Sequence, residues 1–487
     1  MHMRAYKDGL RLSAEGRHAE AIDRLQLALS QRPDDARVLF ALGNTARALG
    51  MAGPAEQFYR MVLALAPAQL EALINLANLL RANGDPASAV ALLEPALERA
   101  PDSHEIVMTL GSAYREMGRR DEAEAHYREA LARRPDYAQA LVNLGDLRSD
   151  AGARAQALQF YDRALAIAPD NAQATFHRAF LHLEQADLAR GWRDYEARLA
   201  LEPIAHDHGL PRWNGEMGAK ILVTAEQGVG DELMFASLIP DLAAYCDAVV
   251  ECDPRLVPLL ARSFPHIEVR PSQMARTGGA IQAHHAPSDA AAAIELGSLA
   301  LHLRPSFANF PKPHAYLVTD AAETARWRAR FATGPHIGIC WRSGKQTHGR
   351  AMHYAPLEAW AAFVRDLPGN IVCAQYDARA EEIAALERAS GRSLLVPQDL
   401  DQKNELDRTC AMLSALDCVV SAPTAVSWLA AGAGVATYKI LSRQSWTGFG
   451  ESYEPFAPSC RCLTADGDWT NALSQAGAQI KARSRAL

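Results

Sequence analysis

The chain has 487 residues, of which 49% are hydrophobic and 22% charged, and its formal net charge is −7 at pH 7. This length exceeds what one hydrophobic core organises and fits roughly three units of about 100–200 residues, while the hydrophobic content excludes a disordered chain. The acidic balance, with a pI near 6.2, leaves no global basic surface for phosphate backbones and argues against nucleic acid as a partner.

The chain starts with Met-His-Met-Arg and runs directly into charged sequence with a helical pattern. No stretch approaches the roughly 20 apolar residues that cross a bilayer. We therefore expect a cytoplasmic protein without a membrane span. The eight cysteines form no CxxC pair and no zinc-like spacing with histidine, so we expect them to be reduced and structural.

Residues 1–203 carry an internal repeat of 34 residues. Proline, a small residue and a bulky residue each recur five times in this register, and glycines mark close helix contacts. The positions are Pro33, Pro67, Pro101, Pro135 and Pro169; Ala21, Ala55, Ala89, Ala123 and Ala157; Leu25, Tyr59, Leu93, Tyr127 and Tyr161; and Gly9, Gly43, Gly111 and Gly145, with Ala77 in place of one glycine. The pattern resembles the tetratricopeptide repeat, with five good copies and a divergent sixth that ends in Gly-Trp-Arg-Asp-Tyr-Glu.

A solenoid of such helix pairs is right-handed, and its first helices line a concave groove suited to an extended peptide. Asn75 and Asn143 share one register on these helices, and Asn44, Asn78 and Asp146 share another, three residues later. The four asparagines are candidates for binding the main chain of a protein acceptor. The alternative is a concave face that is merely solvated.

After residue 203 short apolar runs alternate with amphipathic stretches, which is typical of βαβ units. The predicted strands are Ile221–Ala225, Ala248–Cys252, Ile267–Val269, His336–Trp341, Asn370–Ala374, Leu394–Val396, Cys418–Ser421 and Val435–Lys439. They form two Rossmann-like halves, which gives three domains: 1–203, 204–330 and 331–487, the last with a C-terminal helix. Ligands of open α/β sheets bind outside the carboxyl ends of the strands, so the loops at those ends are candidates for the site.

The loop after the first of these strands contains Gly228, Gly230 and Asp231 at the start of a helix. The glycines allow a ligand to approach closely, and Asp231 could act as a general base on an acceptor hydroxyl or amine. The alternative is an aspartate that only caps the helix.

A second loop, after the strand His336–Trp341, concentrates cations and hydroxyls. Arg342, Lys345 and Arg350 could neutralise a pyrophosphate and stabilise a leaving nucleotide, and the alternative is a solvated basic loop. The donor-side candidates in this loop also include Trp341 and Ser343. Gln375 and Tyr376, after the strand Asn370–Ala374, could contact a base or ribose.

A third loop joins the strand Cys418–Ser421 to an Ala- and Gly-rich helix that Pro423 is well placed to start. The backbone amides at such a helix N-terminus bind anions. Thr424, Ala425 and Val426 are therefore candidates for holding a nucleotide phosphate. The alternative is a simple strand-to-helix turn.

Three segments together carry a second resemblance: residues 221–232 (ILVTAEQGVGDE), 338–344 (GICWRSG) and 416–426 (LDCVVSAPTAV). They are similar to the tetratricopeptide-repeat glycosyltransferases of bacteria, whose catalytic part resembles the lipopolysaccharide heptosyltransferases. The resemblance implies a metal-independent GT-B transferase with two Rossmann-like domains, the donor in the last half, and Asp231 as the catalytic base. Pro423 and Trp428 replace an acidic residue and a histidine of the heptosyltransferase pattern, so we expect a different donor.

The combination of repeats with a GT-B module also resembles O-linked N-acetylglucosamine transferase and bacterial transferases that modify flagellin. The leading hypothesis is an inverting protein O-glycosyltransferase that moves a sugar from a nucleotide donor to Ser or Thr, with flagellin as a plausible acceptor and no metal or cofactor. Two alternatives stay open: a transferase acting on lipopolysaccharide or another glycan, and a non-catalytic repeat scaffold with a degenerate transferase module.

Overall fold

The computed structural model describes residues 2–226, 228–277, 280–310, 315–331, 333–344 and 353–484. The chain forms two compact units. The first contains residues 1–178, 197–205 and 274–282, and the second contains residues 179–196, 206–273 and 283–487. None of the helices within the described ranges is long and apolar enough to cross a membrane.

The first unit is a solenoid of helix pairs that follow the 34-residue period. Its helices α1 to α11 are His2–Ala14, His18–Gln31, Ala36–Ala48, Ala52–Leu65, Leu70–Ala82, Pro86–Arg99, His104–Glu116, Arg120–Arg133, Ala138–Asp150, Arg154–Ile167 and Ala172–Glu184, the last of which continues into the second unit. A glycine with φ between +73° and +84° follows the first helix of each of the first five pairs. This left-handed conformation favours glycine and stops the helix there.

Glycines in the first helices allow the second helix of each pair to pack closely. A Cβ atom at Gly43 or Gly111 would lie 2.7 Å from the ring of Tyr59 or Tyr127, respectively. The third repeat instead combines Ala77 with a shorter bulky residue, leucine, at the tyrosine position. The small-against-large packing predicted from the sequence is thus confirmed, and the repeated alanines and bulky residues are fully buried.

From residue 188 onward the chain alternates mainly between strands and helices. The elements are α12 Leu188–Tyr195, α13 Arg198–Leu201, β1 Ile204–His206, β2 Ile221–Thr224, α14 Val229–Phe235, α15 Ile239–Tyr245, β3 Ala248–Cys252, α16 Val257–Ser263, β4 Glu268–Pro271, β5 Gln273–Thr277, β6 Ala280–His284, β7 Ala292–Glu295, α17 Leu299–Leu303, α18 Ala321–Arg330, β8 His336–Cys340, α19 Leu357–Arg365, β9 Asn370–Cys373, α20 Ala380–Ser390, β10 Leu394–Leu395, α21 Leu406–Leu413, β11 Cys418–Ser421, α22 Ala425–Gly432, β12 Thr437–Leu441, β13 Cys460–Thr464 and α23 Trp469–Ser484.

Two parallel sheets organise the second unit. Over the described residues, the first sheet has the strand order β4-β3-β2-β7 and the second has the order β10-β9-β8-β11-β12-β13. Numbered from its own first strand, the second sheet reads 3-2-1-4-5-6, which is the doubly wound order of dinucleotide-binding folds. The predicted fold class, a repeat solenoid followed by an α/β region, is confirmed.

Part of the divergent sixth repeat belongs to the second unit, although the sequence analysis placed the whole repeat in the solenoid domain that ends at residue 203. Its α12 belongs to the second unit, where Trp192 Nε1 donates to the carbonyl oxygen of Arg304 at 2.9 Å. The Trp192 ring makes edge-to-face contacts with Phe449 and Phe456. These aromatic contacts explain why the repeat pattern fades there, because the residues serve the core of the α/β unit.

Candidate functional site

The strand order of each sheet reverses at one point, which defines where a ligand crevice forms. In the second sheet this point lies between β8 and β11, whose carboxyl ends carry the loops that begin at Trp341 and Ala422. The Ala422 amide donates to the Cys340 carbonyl at 2.7 Å and holds the two strand ends together. Crevices at such switch points are the usual ligand sites of open α/β sheets.

The glycine loop of the first sheet meets the helix that follows β11. A Cβ atom at Gly230 would lie 3.9 Å from the backbone nitrogen of Ala425 and 3.9 Å from Trp428 Cδ1. Gly228 N-caps α14, and its carbonyl accepts from the amide of Asp231 at 2.9 Å. The structure thus brings together two loops that the sequence analysis selected separately.

Asp231 lies in the first turn of α14 and is partly exposed. An acid in this position also interacts favourably with the helix dipole. Its neighbour Glu232 is buried, and its carboxylate accepts from the Asp253 amide at 2.7 Å. Burial raises the pKa of Glu232 to about 8. Glu232 was not among the predicted site residues, although an acid directly before the apolar residues Leu233, Met234 and Phe235 was a visible signal.

The helix α22 presents an uncapped N-terminus. Thr424 is its N-cap residue, and the Thr424 side chain accepts no capping hydrogen bond from the first turn of that helix. Its hydroxyl instead lies 3.2 Å from Ser421 Oγ and 3.5 Å from Cys340 Sγ. The first-turn amides of Ala425 and Val426 have no acceptor within the helix, which is the arrangement that binds phosphate elsewhere.

Arg342 has a different environment from the one expected of a phosphate ligand. Its side chain is buried, and it donates to both carboxylate oxygens of Glu382 at 2.6 and 2.7 Å and to Asp377 Oδ1 at 2.8 Å. The hydrogen bonds that Arg342 donates to Glu382, reinforced by Asp377, hold the pKa of Arg342 above its ordinary value. These ion pairs fix the loop after β8, and the neutralisation of phosphate by Arg342 stays a prediction.

Gln375 and Tyr376 also hold this loop. Gln375 is buried, and its Oε1 accepts from the amides of Trp341 and Arg342 at 3.0 Å each, while its Nε2 donates to the Arg342 carbonyl at 2.9 Å. The Tyr376 hydroxyl accepts from the Gly344 amide at 2.6 Å and lies 3.5 Å from Ser343 Oγ. Gln375 and Tyr376 thus contact the loop after β8. Their predicted contacts with a base or ribose stay a prediction.

The Trp341 side chain lies in the hydrophobic core of the second sheet. Its predicted contact with the donor stays a prediction, and it would have to be made by the main chain of this residue rather than by the buried ring. Lys345 and Arg350, the other cations predicted in this loop, lie outside the described residues.

Trp428, which stands where the heptosyltransferase pattern has histidine, covers a buried ion pair. The ammonium of Lys439 lies 3.7 Å from the centre of the Trp428 ring and donates to Glu454 Oε1 at 2.7 Å. Thr447 Oγ1 donates to the same oxygen at 3.0 Å. Burial lowers the pKa of Lys439, but the Glu454 carboxylate, together with the neighbouring Cys460 and Cys462, outweighs burial and keeps this pKa above the ordinary value.

The groove asparagines take part in a hydrogen-bond ladder between repeats. Asn44 Oδ1 accepts from Tyr59 Oη at 2.7 Å and from Asn75 Nδ2 at 2.9 Å. Asn143 Nδ2 donates to Ser112 Oγ at 3.4 Å in the equivalent place, two repeats later. The structure therefore uses part of their hydrogen-bonding capacity for contacts between helices.

A cavity of about 430 Å³ lies on the first helices of the middle repeats. Among the residues that line it are the predicted candidates Asn78 and Asn143, together with Ser112, Gln139 and Gln173. Asn78 Oδ1 accepts from Arg81 at 2.8 Å. The cavity is polar, as a site for a peptide main chain requires.

Comparison with known sequences agrees with the repeat architecture. Residues 6–69, 46–110, 80–145 and 114–176 match families described as tetratricopeptide repeat. The solenoid is built of tetratricopeptide repeats.

The chain is also similar to the protein FlbA of Caulobacter vibrioides, with 33% identity over 292 residues. The match covers 55% of this chain and 48% of FlbA, so the chain spans about half the length of this relative. Because the matched segment is longer than residues 1–203, it includes part of the α/β region.

Solved structures similar to the chain include TTC0263, a tetratricopeptide-repeat protein of Thermus thermophilus, with 26% identity and a TM-score of 0.33 over 38% of this chain and 100% of that one. Another is YrrB, described as a tetratricopeptide-repeat protein with an unusual peptide-binding site, with 21% identity and a TM-score of 0.30 over 37% of this chain and 92% of YrrB.

Proposed function

We propose that this protein is a glycosyltransferase that inverts the anomeric configuration while it moves a sugar from a nucleotide donor to a Ser or Thr hydroxyl of a protein. The observation that carries the proposal is the approach of the Gly228–Gly230 loop to the N-terminus of α22 at the switch point of the second sheet. In this proposal Asp231 acts on one side of the crevice, and the first-turn amides of α22 bind an anion on the other.

Each side of the crevice has one chemical task. The first-turn amides of α22 hold the phosphate that departs with the nucleotide, because they supply hydrogen-bond donors and the positive end of the helix dipole. Asp231 takes the proton of the attacking hydroxyl. The hydroxyl oxygen forms a bond to the anomeric carbon, the bond from that carbon to the phosphate oxygen breaks, and its electron pair leaves with the nucleotide.

Arg342 acts indirectly in this scheme. Because its guanidinium is paired with Asp377 and Glu382, it fixes the loop after β8 next to the crevice. The charge of the departing phosphate is then balanced by backbone amides and by any cations of residues 345–350. We expect no metal requirement for transfer, so treatment with a chelator should leave the rate of transfer unchanged.

The solenoid supplies the acceptor site. Its polar cavity around Ser112 and Asn143 offers donors and acceptors to a peptide main chain, as repeat grooves commonly do. The resemblance to flagellin-modifying transferases makes flagellin the first acceptor to test. A glycan acceptor is the second, and the choice between them is made by offering both substrates.

The decisive experiment offers a panel of nucleotide sugars to the purified protein, together with lysate from a strain that lacks it. Transfer is read as a sugar-sized mass gain on a protein. We expect Asp231→Asn to lower the rate by about 10²–10⁴-fold, the contribution typical of a general base, with nucleotide binding unchanged. The matched control is Asp247→Asn, an exposed aspartate just before β3, which should keep the wild-type rate.

A non-catalytic scaffold is the second candidate, and two observations favour it. The Arg342 guanidinium is engaged by carboxylates, and Trp428 closes over a buried ion pair where the resembling enzymes carry histidine. A scaffold would bind neither nucleoside diphosphates nor cytidine monophosphate. Absence of binding in a calorimetric survey, with no mass gain on any acceptor, would reject the transferase proposal in favour of the scaffold.

A further inference from the structure

Three histidines converge in the second unit, in a place that the transfer reaction does not use. His206 ends β1, His208 follows two residues later, and His285 follows β6. One ligand atom from each ring lies within 4.8 Å of the others. The three residues are partly buried, and His206 Nδ1 lies 2.9 Å from His285 Nε2.

The surroundings of His285 are those of a metal ligand. Its Nδ1 lies 2.7 Å from Glu251 Oε2, and both side chains are 3% exposed. A carboxylate that accepts from one ring nitrogen directs the lone pair of the other nitrogen outward and makes it more basic, which is the usual support of a metal-bound histidine. Glu251 is itself held by Arg270, whose Nε lies 3.3 Å from Glu251 Oε1.

The protonation of the cluster also suits a metal. With the Nδ1 proton of His285 directed at Glu251, its Nε2 carries a lone pair, so the 2.9 Å contact to His206 needs one shared proton. A metal cation would replace that proton and bind both nitrogens.

We propose that His206, His208 and His285 form a binding site for a divalent transition-metal ion of the zinc class. Imidazole nitrogens suit Zn²⁺, and bonds of about 2.0–2.1 Å from three rings leave a fourth position for water. A bound ion would join residues 206–208 to His285, about 80 positions further along the chain, and would close that long loop. The site is independent of the proposed transferase reaction.

The three ligands are not equivalent. His208 Nδ1 accepts from the Leu210 amide at 2.9 Å, so a metal bound through that atom takes over a lone pair that is already in use. His206 and His285 need only give up their shared proton. We therefore expect His208 to contribute the weakest of the three bonds.

Zinc binding tests the assignment on the untagged, full-length protein after removal of metals with a chelator. Zn²⁺ is titrated against a chromophoric competitor, and bound metal is counted by mass spectrometry. We expect one ion per chain in the wild type, loss of binding in His206→Gln and His285→Gln, and a smaller loss in His208→Gln. Glu251→Gln should weaken binding by about 10–100-fold, as removal of a supporting carboxylate does.

The matched control is His284→Gln, because His284 is the neighbour of His285 in sequence but pairs with Asp207 outside the cluster. It should bind zinc like the wild type. X-ray absorption of the wild type alone then reports the ligands, so the test does not depend on how well the variants fold. Absence of zinc binding, equal binding by His206→Gln, or sulfur in the coordination shell would overturn the proposal.

Discussion

Burial gives Glu232 an unusual protonation behaviour for a glutamate. Its carboxyl accepts a single amide hydrogen bond, from Asp253, which offsets only part of the cost of removing the charge from water. With its pKa raised to about 8, Glu232 is mostly protonated in the folded protein at pH 7.

This protonation makes the stability of the α/β unit depend on pH. Between the ordinary glutamate pKa of about 4.3 and about 8, the folded state binds one proton more than the unfolded state. The free energy of unfolding should then fall as pH rises through this window, with a slope approaching about 1.4 kcal/mol per pH unit from this group. Glu232→Gln should remove this contribution, as measured by urea unfolding at pH 5, 6, 7 and 8. Equal slopes for the variant and the wild type would contradict it.

A second prediction concerns the contribution of the buried ion pair between Lys439 and Glu454 to stability. Lys439→Met leaves the Glu454 carboxylate buried without its cation, and loss of one partner of a buried pair costs about 3–5 kcal/mol in unfolding free energy. The double change Lys439→Met with Glu454→Leu should recover most of that loss. The control is Arg60→Ala, which breaks an exposed pair with Glu56 and should cost no more than about 1 kcal/mol. Urea unfolding measures all three, and a double variant as unstable as the single one would contradict the argument.

Helix pairs in the solenoid depend on matched residues 16 positions apart. The ring of Tyr127 occupies the space where Gly111 lacks a side chain, whereas the third repeat has Ala77 with Leu93 in the same two positions. We predict that Gly111→Ala costs about 1–3 kcal/mol of unfolding free energy, as overpacking does. Adding Tyr127→Leu to this variant recreates the combination of the third repeat. The double variant should regain part of the lost unfolding free energy.

Gly53 is the control for this pair, because a Cβ atom there meets nothing within 4 Å and its φ is not positive. Gly53→Ala should be neutral or slightly stabilising, since alanine favours the helix. The comparison is a double-mutant cycle by thermal or urea unfolding. Additive effects of Gly111→Ala and Tyr127→Leu would show that the two positions do not depend on each other.

The sequence predicted the elements well where a pattern was strong. The 34-residue period predicted every helix pair, and each predicted strand is present within two residues of its expected ends. The strands β1, β5, β6, β7 and β13 were not predicted. For β7 the reason is that Ala-Ala-Ile-Glu is short and alanine has little preference for strands. It forms only when β2 provides a partner along its edge, which is a non-local cause.

The candidate site was predictable as a set of loops but not as a set of contacts. The topology of parallel strands places the ends of β8 and β11 side by side, and the motifs after them were visible in the sequence. The partners of Arg342 were not, because Asp377 and Glu382 lie 35 and 40 residues away. The histidine cluster was missed for the same reason, since its members come from two distant segments.

At the scale of the whole molecule, the proposed function divides the work between the two units, and kinetics can separate them. Gln139 and Gln173 line the solenoid cavity, and their amides are hydrogen-bonded at 3.2 Å. We predict that Gln139→Ala with Gln173→Ala raises KM for a protein acceptor about tenfold, which corresponds to two lost hydrogen bonds of about 0.5–1.5 kcal/mol each. The kcat and the affinity for the donor nucleotide should not change, because the groove binds the acceptor before and during transfer alike.

The matched control changes the same residue type on the second helix of a repeat. Gln156 and Gln159 are exposed on α10 and do not line the cavity, so Gln156→Ala with Gln159→Ala should leave KM unaltered. Initial rates over a range of acceptor concentrations, with hydrolysis of the donor in the absence of acceptor as a second readout, distinguish the outcomes. If the cavity variant lost kcat and donor hydrolysis together, the solenoid would be supporting the α/β unit rather than holding the acceptor. A second outcome is that the cavity variant raises KM tenfold for a protein acceptor but leaves KM for a free glycan acceptor at the value of the control variant. The repeats would then select the protein as substrate.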